Sequence, residues 1–324
     1  MAAQPSTIRI MSWNLRFDSM PDNITVQQSI NALPDPIAQP AFLGLSGEQP
    51  WSTRRIKVLQ RIVGENVVIA GFQEGLVRQV TDIAEMLGDD WGWASLALSD
   101  AILIPKSPIF YKKSVFNLIN NDTFWLSNQP FDAGSKFPGA GSVRIATATH
   151  FIIKETGKHI AYINTHLDDQ SDQQRRLGAS LILWRAHYEA TQMGDQGTVL
   201  VTGDFNSPAA GNDSGAYMVI TGAIEPLSIN STFKAKYSIP NNALPGFKAI
   251  DLRTQIPRVS VGGNWATYTG FNAPNDTSAY THIDFVFGGS NGGWTGENFK
   301  VETSLTDDGV IASDHRPVIV DISL

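Results

Sequence analysis

Several short, β-branched runs in this sequence end in side chains that hold cations or move protons. The run Ile8–Leu15 delivers Asn14, Val67–Gln73 leads into Glu74, and His159–Leu167 carries His166. Thr198–Thr202 is followed by Asp204 and Asn206, and near the C-terminus come Asp284, in His282-Ile-Asp-Phe-Val-Phe287, and the pair Asp314 and His315, in Ser313-Asp-His-Arg-Pro317. A carboxylate beside an apolar strand is costly to bury without a partner, so its repeated appearance there calls for a metal, hydrogen bonds or catalysis to compensate. One shared site accounts for the whole set most simply. The sequence has no cysteine, so a metal would rest on oxygen and imidazole ligands, which favours a hard cation.

Taken singly, each of these residues also has an ordinary reading. Glu74, before Gly75, could begin a helix and complement its dipole. Asp204 and Asn206 could form an Asx-turn. His166 could be a core histidine and His315 a loop residue. Arg144 opens a strand after a glycine-rich loop, where it is either a solvated charge or a fork for phosphate oxygens, and Arg175-Arg176 is a weaker candidate of the same kind. Asp168, just past His166, either faces a substrate or caps the helix that follows.

The order of the motifs decides between these readings. Trp13-Asn14, Phe72-Gln-Glu74, Asn164-Thr-His166, Gly203-Asp-Phe-Asn206 and Ser313-Asp-His315 together resemble the endonuclease/exonuclease/phosphatase superfamily, which includes DNase I-like nucleases and some phospholipid phosphodiesterases and phosphatases. The resemblance runs from residue 8 to residue 322. Gly-Asp-Phe-Asn alone would arise by chance in roughly one in several hundred chains of this length, whereas five motifs in family order would not. The resemblance implies a four-layer α/β/β/α sandwich of the DNase I-like type, with two mixed sheets packed face to face. It implies Mg²⁺ as cofactor, with Mn²⁺ able to substitute. Glu74 would be the metal carboxylate, with Asn14 assisting and Asp314 on the metal side. Asp204 would orient or deprotonate the attacking water, Asn206 would hold that water or a phosphate oxygen, His166 would contact the scissile phosphate, and His315 would act at the reaction centre. Asp284 would accept from His315 and fix its tautomer. One departure stands out. Many superfamily members carry an acidic residue two positions after the first-motif Asn, often near a metal, and here that position is Arg16. A second metal is therefore in doubt.

The elements that must carry these residues are legible from apolar spacing. Strands are expected at Ile8–Leu15, Val67–Gln73, Ile109–Tyr111, Arg144–Lys154, His159–Leu167, Thr198–Thr202, His282–Phe287 and Pro317–Ile322. The pair around Glu155-Thr-Gly-Lys158 reads as a hairpin. Helices are expected at Arg54–Val63, capped by Ser52 or Thr53, at Leu76–Leu87, and at Gln173–Thr191. The stretches Pro21–Pro50, Gln129–Gly141 and Ala209–Asn242 are rich in Pro, Gly, Asn and Ser and read as surface loops that shape a cleft. With no composition shift along 324 residues, a single domain over 1–324 is expected.

Hydrophobic content of 42% and charged content of 17% belong to an ordinary globular chain. The net charge of −7 argues against a protein whose main business is gripping long nucleic acid through clustered Lys and Arg, although a metal supplies local positive charge. No run of 18 apolar residues occurs, and the start lacks a basic region leading into an apolar one. No membrane span is expected, and the expected location is the cytoplasm despite five N-x-S/T sequons. No protein partner is inferable. The expected activity is Mg-dependent hydrolysis of a phosphodiester or phosphomonoester by in-line attack of water. The expected substrate is a small phosphorylated metabolite, a lipid head group or a nucleotide. The alternatives are an endo- or exonuclease acting on DNA or RNA, and a binding protein that kept the fold and lost turnover. Trp265-Ala-Thr-Tyr268, Phe271, Trp91 and Trp93 would stack on bases or sugars in the nucleic-acid case, and otherwise serve packing.

Overall fold

The computed structural model describes residues 7–44, 47–95, 107–193 and 197–324. In chain order its strands are β1 (Thr7–Asn14), β2 (Ile69–Gln73), β3 (Trp91–Ala94), β4 (Ile109–Lys112), β5 (Phe116–Trp125), β6 (Ile145–Ile153), β7 (His159–His166), β8 (Thr198–Asp204), β9 (Ala249–Asp251), β10 (Val261–Gly263), β11 (Asp284–Gly289), β12 (Thr295–Val301) and β13 (Val318–Ser323). The helices are α1 (Val26–Asn31), α2 (Trp51–Gly64), α3 (Val77–Leu87), α4 (Asp172–Met193), α5 (Gly215–Ile220) and α6 (Ser231–Lys236).

The strands form a seven-stranded sheet, β10-β12-β13-β1-β2-β4-β3, and a six-stranded sheet, β5-β6-β7-β8-β11-β9. Both are mixed: β1 runs parallel to β2 but antiparallel to β13, and β7 runs parallel to β8 but antiparallel to β6. Side-chain alternation assigns each strand's two faces. From β1, Ile8 and Ile10 enter a core shared with Ile160, Tyr162, Leu200 and Val286 of the other sheet. The opposite face of β1, Met11 and Trp13, packs with Trp51, Val58 and Ile62 of α2 and with Val80 and Ile83 of α3. On the outer face of the six-stranded sheet, Ala161, Ile163, Val199 and Val201 meet Leu177, Leu181 and Ile182 of α4, Val219 of α5 and Phe233 of α6. The layers are thus α/β/β/α, as expected. Burying a side chain such as Trp13 or Phe233 contributes on the order of 2–3 kcal/mol, and three separate clusters of this kind hold the four layers together.

All eight expected strands and all three expected helices are present, with ends moved by a few residues. The differences lie elsewhere. Helix α2 begins at Trp51 with Pro50 as its N-cap, because Ser52 spends its hydroxyl on Asp22. Pro21–Pro50 contains α1, whose N-cap Thr25 forms a capping box with Gln28. Ala209–Asn242 contains α5 and α6, and their Ala216, Val219, Ile220 and Phe233 belong to the core. Six-residue helices are too short for apolar periodicity to register against the surrounding Pro, Gly and Asn. The edge strands β3, β9 and β10, the neighbouring β12 and the polar edge strand β5, Phe-Asn-Leu-Ile-Asn-Asn-Asp-Thr-Phe-Trp, also lack a clear pattern, since one face of each meets solvent.

Candidate active site

The rows of side chains between the two sheets change character toward one end. Along β1 the inward row reads Ile8, Ile10, Ser12, Asn14; along β7 it reads Ile160, Tyr162, Asn164, His166; along β8 it reads Leu200, Thr202, Asp204. Strand register brings the polar ends level. His166 lies opposite Asp204, and Asp204 opposite Asp284. Gly203 is required here by close approach, since a Cβ on it would sit 2.3 Å from Thr165 O. Asp314 and His315 arrive from the segment before β13, where Ser313 Oγ donates to Asn14 O across 2.6 Å and the Trp13 indole donates to His315 O across 3.0 Å.

Asn14 ties the site together. Its Nδ2 donates to Glu74 Oε1 at 3.1 Å and to Asp204 Oδ2 at 3.0 Å, while its Oδ1 accepts from the Arg16 backbone N–H at 2.9 Å. Asn14 thus meets both carboxylates as a donor. Glu74 accepts a second bond from Phe17 N. The helix-start reading of Glu74 does not fit, because α3 begins at Val77 with Leu76 as N-cap. Arg16, Glu74 and Asn206 are non-glycine residues with φ of 55°, 59° and 46°, a conformation that costs energy and collects at functional sites. The Asx-turn expected of Asp204 is present, with Asn206 N donating to Asp204 Oδ1 at 2.9 Å. Its other oxygen nevertheless faces His166 Nε2 at 3.3 Å and His315 Nε2 at 3.5 Å. Asn206 Nδ2 stands 3.1 Å from His166 Nε2 and from Leu167 O. His315 Nδ1 is 2.9 Å from Asp284 Oδ2.

Burial sets the electrostatics. Removal from water, with Asp284 adding to it, pushes the Asp204 carboxyl up to about 7. His315 is also buried, which alone would lower it, but Asp284 and Asp204 outweigh this and raise the imidazole to about 10. The two carboxylates thus favour the protonated imidazole. Burial, with Glu74 contributing, also raises Asp314.

These side chains open on one cavity of about 580 Å³, lined by Glu74, His166, Asp204, Asn206, Asp314 and His315 together with Arg16, Phe17, Leu76, Arg144, Asp169 and Tyr268. Arg144 Nη2 donates to Asp169 Oδ1 at 2.8 Å, and its Nε lies 3.6 Å from Asp168 Oδ1. Asp168 itself does not reach the cavity. It is fully buried and accepts from the backbone N–H groups of Gly141, Ser142, Gln170 and Ser171, so it anchors two loops and thereby the Arg144 wall. Asp284 likewise stands behind His315 rather than on the surface, and its Oδ1 has no hydrogen-bond partner. Arg175 pairs with Asp213 away from the cavity.

Arg16, Phe17, Leu76, Asp169 and Tyr268 were not among the site residues chosen from sequence. Tyr268 had a signal in the aromatic cluster, and its ring lies 4.9 Å from that of His315. The rest of that cluster disperses. Trp265 is 61% exposed beside a separate groove with Arg253 and Arg258, Phe271 lies over Arg54, Trp93 stacks on Phe110, and Trp91 packs against the α2/α3 side.

Among the described residues, one group of three side chains has the spacing to hold a cation. Asp204, Asp284 and His315 offer ligand atoms within 4.8 Å of one another, but the His315–Asp284 hydrogen bond and the charge on His315 compete with a metal there. Glu74 and Asp314 face the cavity as carboxylates that repel each other, and hard oxygen donors of this kind suit Mg²⁺ or Mn²⁺.

No family model matches the sequence, and no curated protein does. Among solved structures, the chain is similar to an endonuclease/exonuclease/phosphatase from Bacteroides vulgatus, with a TM-score of 0.69 and 24% identity over 98% of this chain and 99% of that one. It is similar to a mannosyl-6-phosphatase from Bacteroides thetaiotaomicron, with a TM-score of 0.69 and 21% identity over 98% of this chain and 100% of the other. A TDP2 from D. rerio, complexed with a single strand DNA product, matches with a TM-score of 0.61 and 12% identity over 98% and 100% of the two chains. The resemblance carried by the motifs therefore holds at the level of the fold, which is the DNase I-like sandwich of these proteins.

Proposed function

We propose that this chain is a metal-dependent hydrolase of phosphoesters acting on a small phosphorylated molecule. The observation that carries the reading is the convergence of Asp204, His166, Asn206, His315, Glu74 and Asp314 on one cavity. A divalent ion held by Glu74 and Asp314, Mg²⁺ or Mn²⁺, would supply Lewis-acid neutralisation of charge on the phosphoryl or leaving oxygen. Asn14 orients both Glu74 and Asp204. Asp204, with a pKa of about 7, is poised to take the proton of the attacking water, which Asn206 helps to hold. His315, charged through its pairing with Asp284, donates to phosphoryl oxygens and so takes the electrostatic role rather than that of general base. His166 and Arg144 contact the same phosphoryl group from the β7 and loop side. Asp168 acts on the substrate only through Arg144.

Nuclease activity is the second reading. It is favoured by the fold shared with a TDP2 solved with a DNA product and weighed against by the charge of −7. The deciding experiment is hydrolysis of a panel of sugar phosphates, nucleotides, phospholipids and single- and double-stranded nucleic acids, with and without Mg²⁺ or Mn²⁺. Turnover of a small phosphorylated molecule supports the proposal. Turnover of nucleic acid alone favours the nuclease, and no turnover of any substrate overturns both.

A further inference from the structure

One wall of the cavity carries a cation that the chemistry above leaves unused. Arg16 takes a left-handed backbone conformation fixed from three sides: its N–H donates to Asn14 Oδ1, and its carbonyl accepts from Arg54 Nη2 and Gln79 Nε2. Its guanidinium lies 4.2 Å over the Phe17 ring and lines the cavity. The nearest carboxylate, Glu48, is 3.6 Å from Arg16 Nε and 3.5 Å from Arg54 Nη2. One anion is thus shared by two guanidiniums. Arg54 is fully buried, and its donors are taken by the carbonyls of Gln49, Leu15, Ala312, Arg16 and Phe17. Asp314 and Asp18 also act on Arg54, and Asp314 on Arg16, but Arg16 Nε has no hydrogen-bond partner. The Arg144 wall is different, since Asp168 and Asp169 both sit beside that guanidinium.

We propose that Arg16 binds the substrate's terminal phosphate and selects a phosphomonoester dianion over a phosphodiester monoanion. The inference rests on the phosphoesterase reading and names its substrate class. A monoester carries about 1.5–2 negative charges at pH 7, its second ionisation lying near 6, whereas a diester carries one. The additional charge needs an additional fixed cation, and a guanidinium fork meets two terminal oxygens together. A carboxylate at this position would instead attract a second metal. Water adds to phosphorus, the ester P–O bond breaks, and the products are inorganic phosphate and an alcohol. The cavity has room for a phosphate and one modest substituent, which Phe17, Leu76 and Tyr268 would flank.

Two readouts test this. In calorimetric titrations with Mg²⁺ present, the unaltered protein should bind inorganic phosphate at least about tenfold more tightly than dimethyl phosphate, a difference of about 1.4 kcal/mol. Arg16→Gln should abolish that preference, while Arg16→Lys, which keeps the charge and loses the fork, should retain part of it. In turnover, Arg16→Gln should lower kcat/KM for p-nitrophenyl phosphate by about a hundredfold and for bis(p-nitrophenyl) phosphate by less than about fivefold. Lys113→Gln, which removes a charge outside the cavity lining, should change neither ratio. Equal losses on both esters, or an unaltered phosphate preference in Arg16→Gln, would overturn the assignment. If neither ester is turned over, the phosphoesterase reading suffers, while the calorimetry still decides whether Arg16 recognises the dianion.

Discussion

His315 Nδ1 lies 2.9 Å from Asp284 Oδ2, and both side chains are buried. That contact is the leading reason the imidazole is raised to about 10 despite its burial. In the folded protein His315 therefore keeps a proton that an unfolded histidine loses near 6.5, and Asp204 keeps one that an unfolded aspartate loses near 3.8. In both cases the folded state binds more protons, so stability falls as pH rises. The Asp204 contribution is lost between about 4 and 7. The His315 contribution is complete below about 6.5 and gone above about 10. In metal-free protein, Asp284→Asn should lower the His315 titration followed by NMR and flatten the fall of stability between pH 7 and 10. An unchanged His315 titration in that variant would show that Asp284 does not hold the proton.

Asp204→Asn should lower the catalytic rate by at least about two orders of magnitude, the scale for losing a positioned acid–base group. Its bonds to Asn206 N and Asn14 ask only for acceptors, of which an amide supplies one, so the fold should survive. His315→Ala should cost a similar factor through lost charge stabilisation. Rates near that of the unaltered protein, measured at saturating metal, would remove the residue concerned from its role.

Removing divalent ions with EDTA should abolish turnover, and Mg²⁺ or Mn²⁺ should restore it. Glu74→Gln should then raise the Mg²⁺ concentration needed for half-maximal activity by tenfold or more, roughly the effect of losing a charged ligand or its support. It should alter thermal stability only modestly, because Glu74 lies outside α3. A shifted melt with superimposable Mg²⁺ curves would exclude Glu74 as a ligand.

The strands that build the site were readable because they are buried on both faces. β1, β2, β7 and β8 each carry a buried segment rich in Ile, Val, Leu and aromatic residues, and the polar residues that close them stand out. What sequence withheld was direction. Asp168 sits beside His166 in the chain but turns its carboxylate to four backbone N–H groups. Asn14 turns its oxygen to Arg16 N rather than to the cavity. Arg16 was noticed as a departure from a pattern, yet its part in the cavity depends on Glu48 and Arg54, which lie more than thirty residues away in the chain. The apolar contributors Phe17 and Leu76 carry no chemical signal at all.

Beneath the catalytic layer lies a second polar layer, and Gly71 is the residue that makes room for it. A Cβ there would stand 2.5 Å from both Asn164 Oδ1 and Thr202 Oγ1. Asn164 has no freedom to withdraw. It donates to Phe72 O at 2.7 Å and Pro108 O at 3.1 Å, and it accepts from Gln73 Nε2 at 2.8 Å and Thr202 Oγ1 at 3.1 Å. This one amide links β7 to β2 across the sheets, two residues from His166 and close behind Glu74. Gly71→Ala should therefore cost about 1–3 kcal/mol, the usual penalty for overpacking. It should also lower activity by displacing both site residues. Asn164→Ala should be destabilising in its own right, because it leaves buried carbonyls without donors. Combined, the two changes should cost less than their sum, since the second removes one of the two atoms that the new methyl strikes. Urea denaturation of the four proteins in this cycle gives the coupling directly. Strict additivity would mean that the methyl is accommodated elsewhere and that Gly71 is not shaped by Asn164.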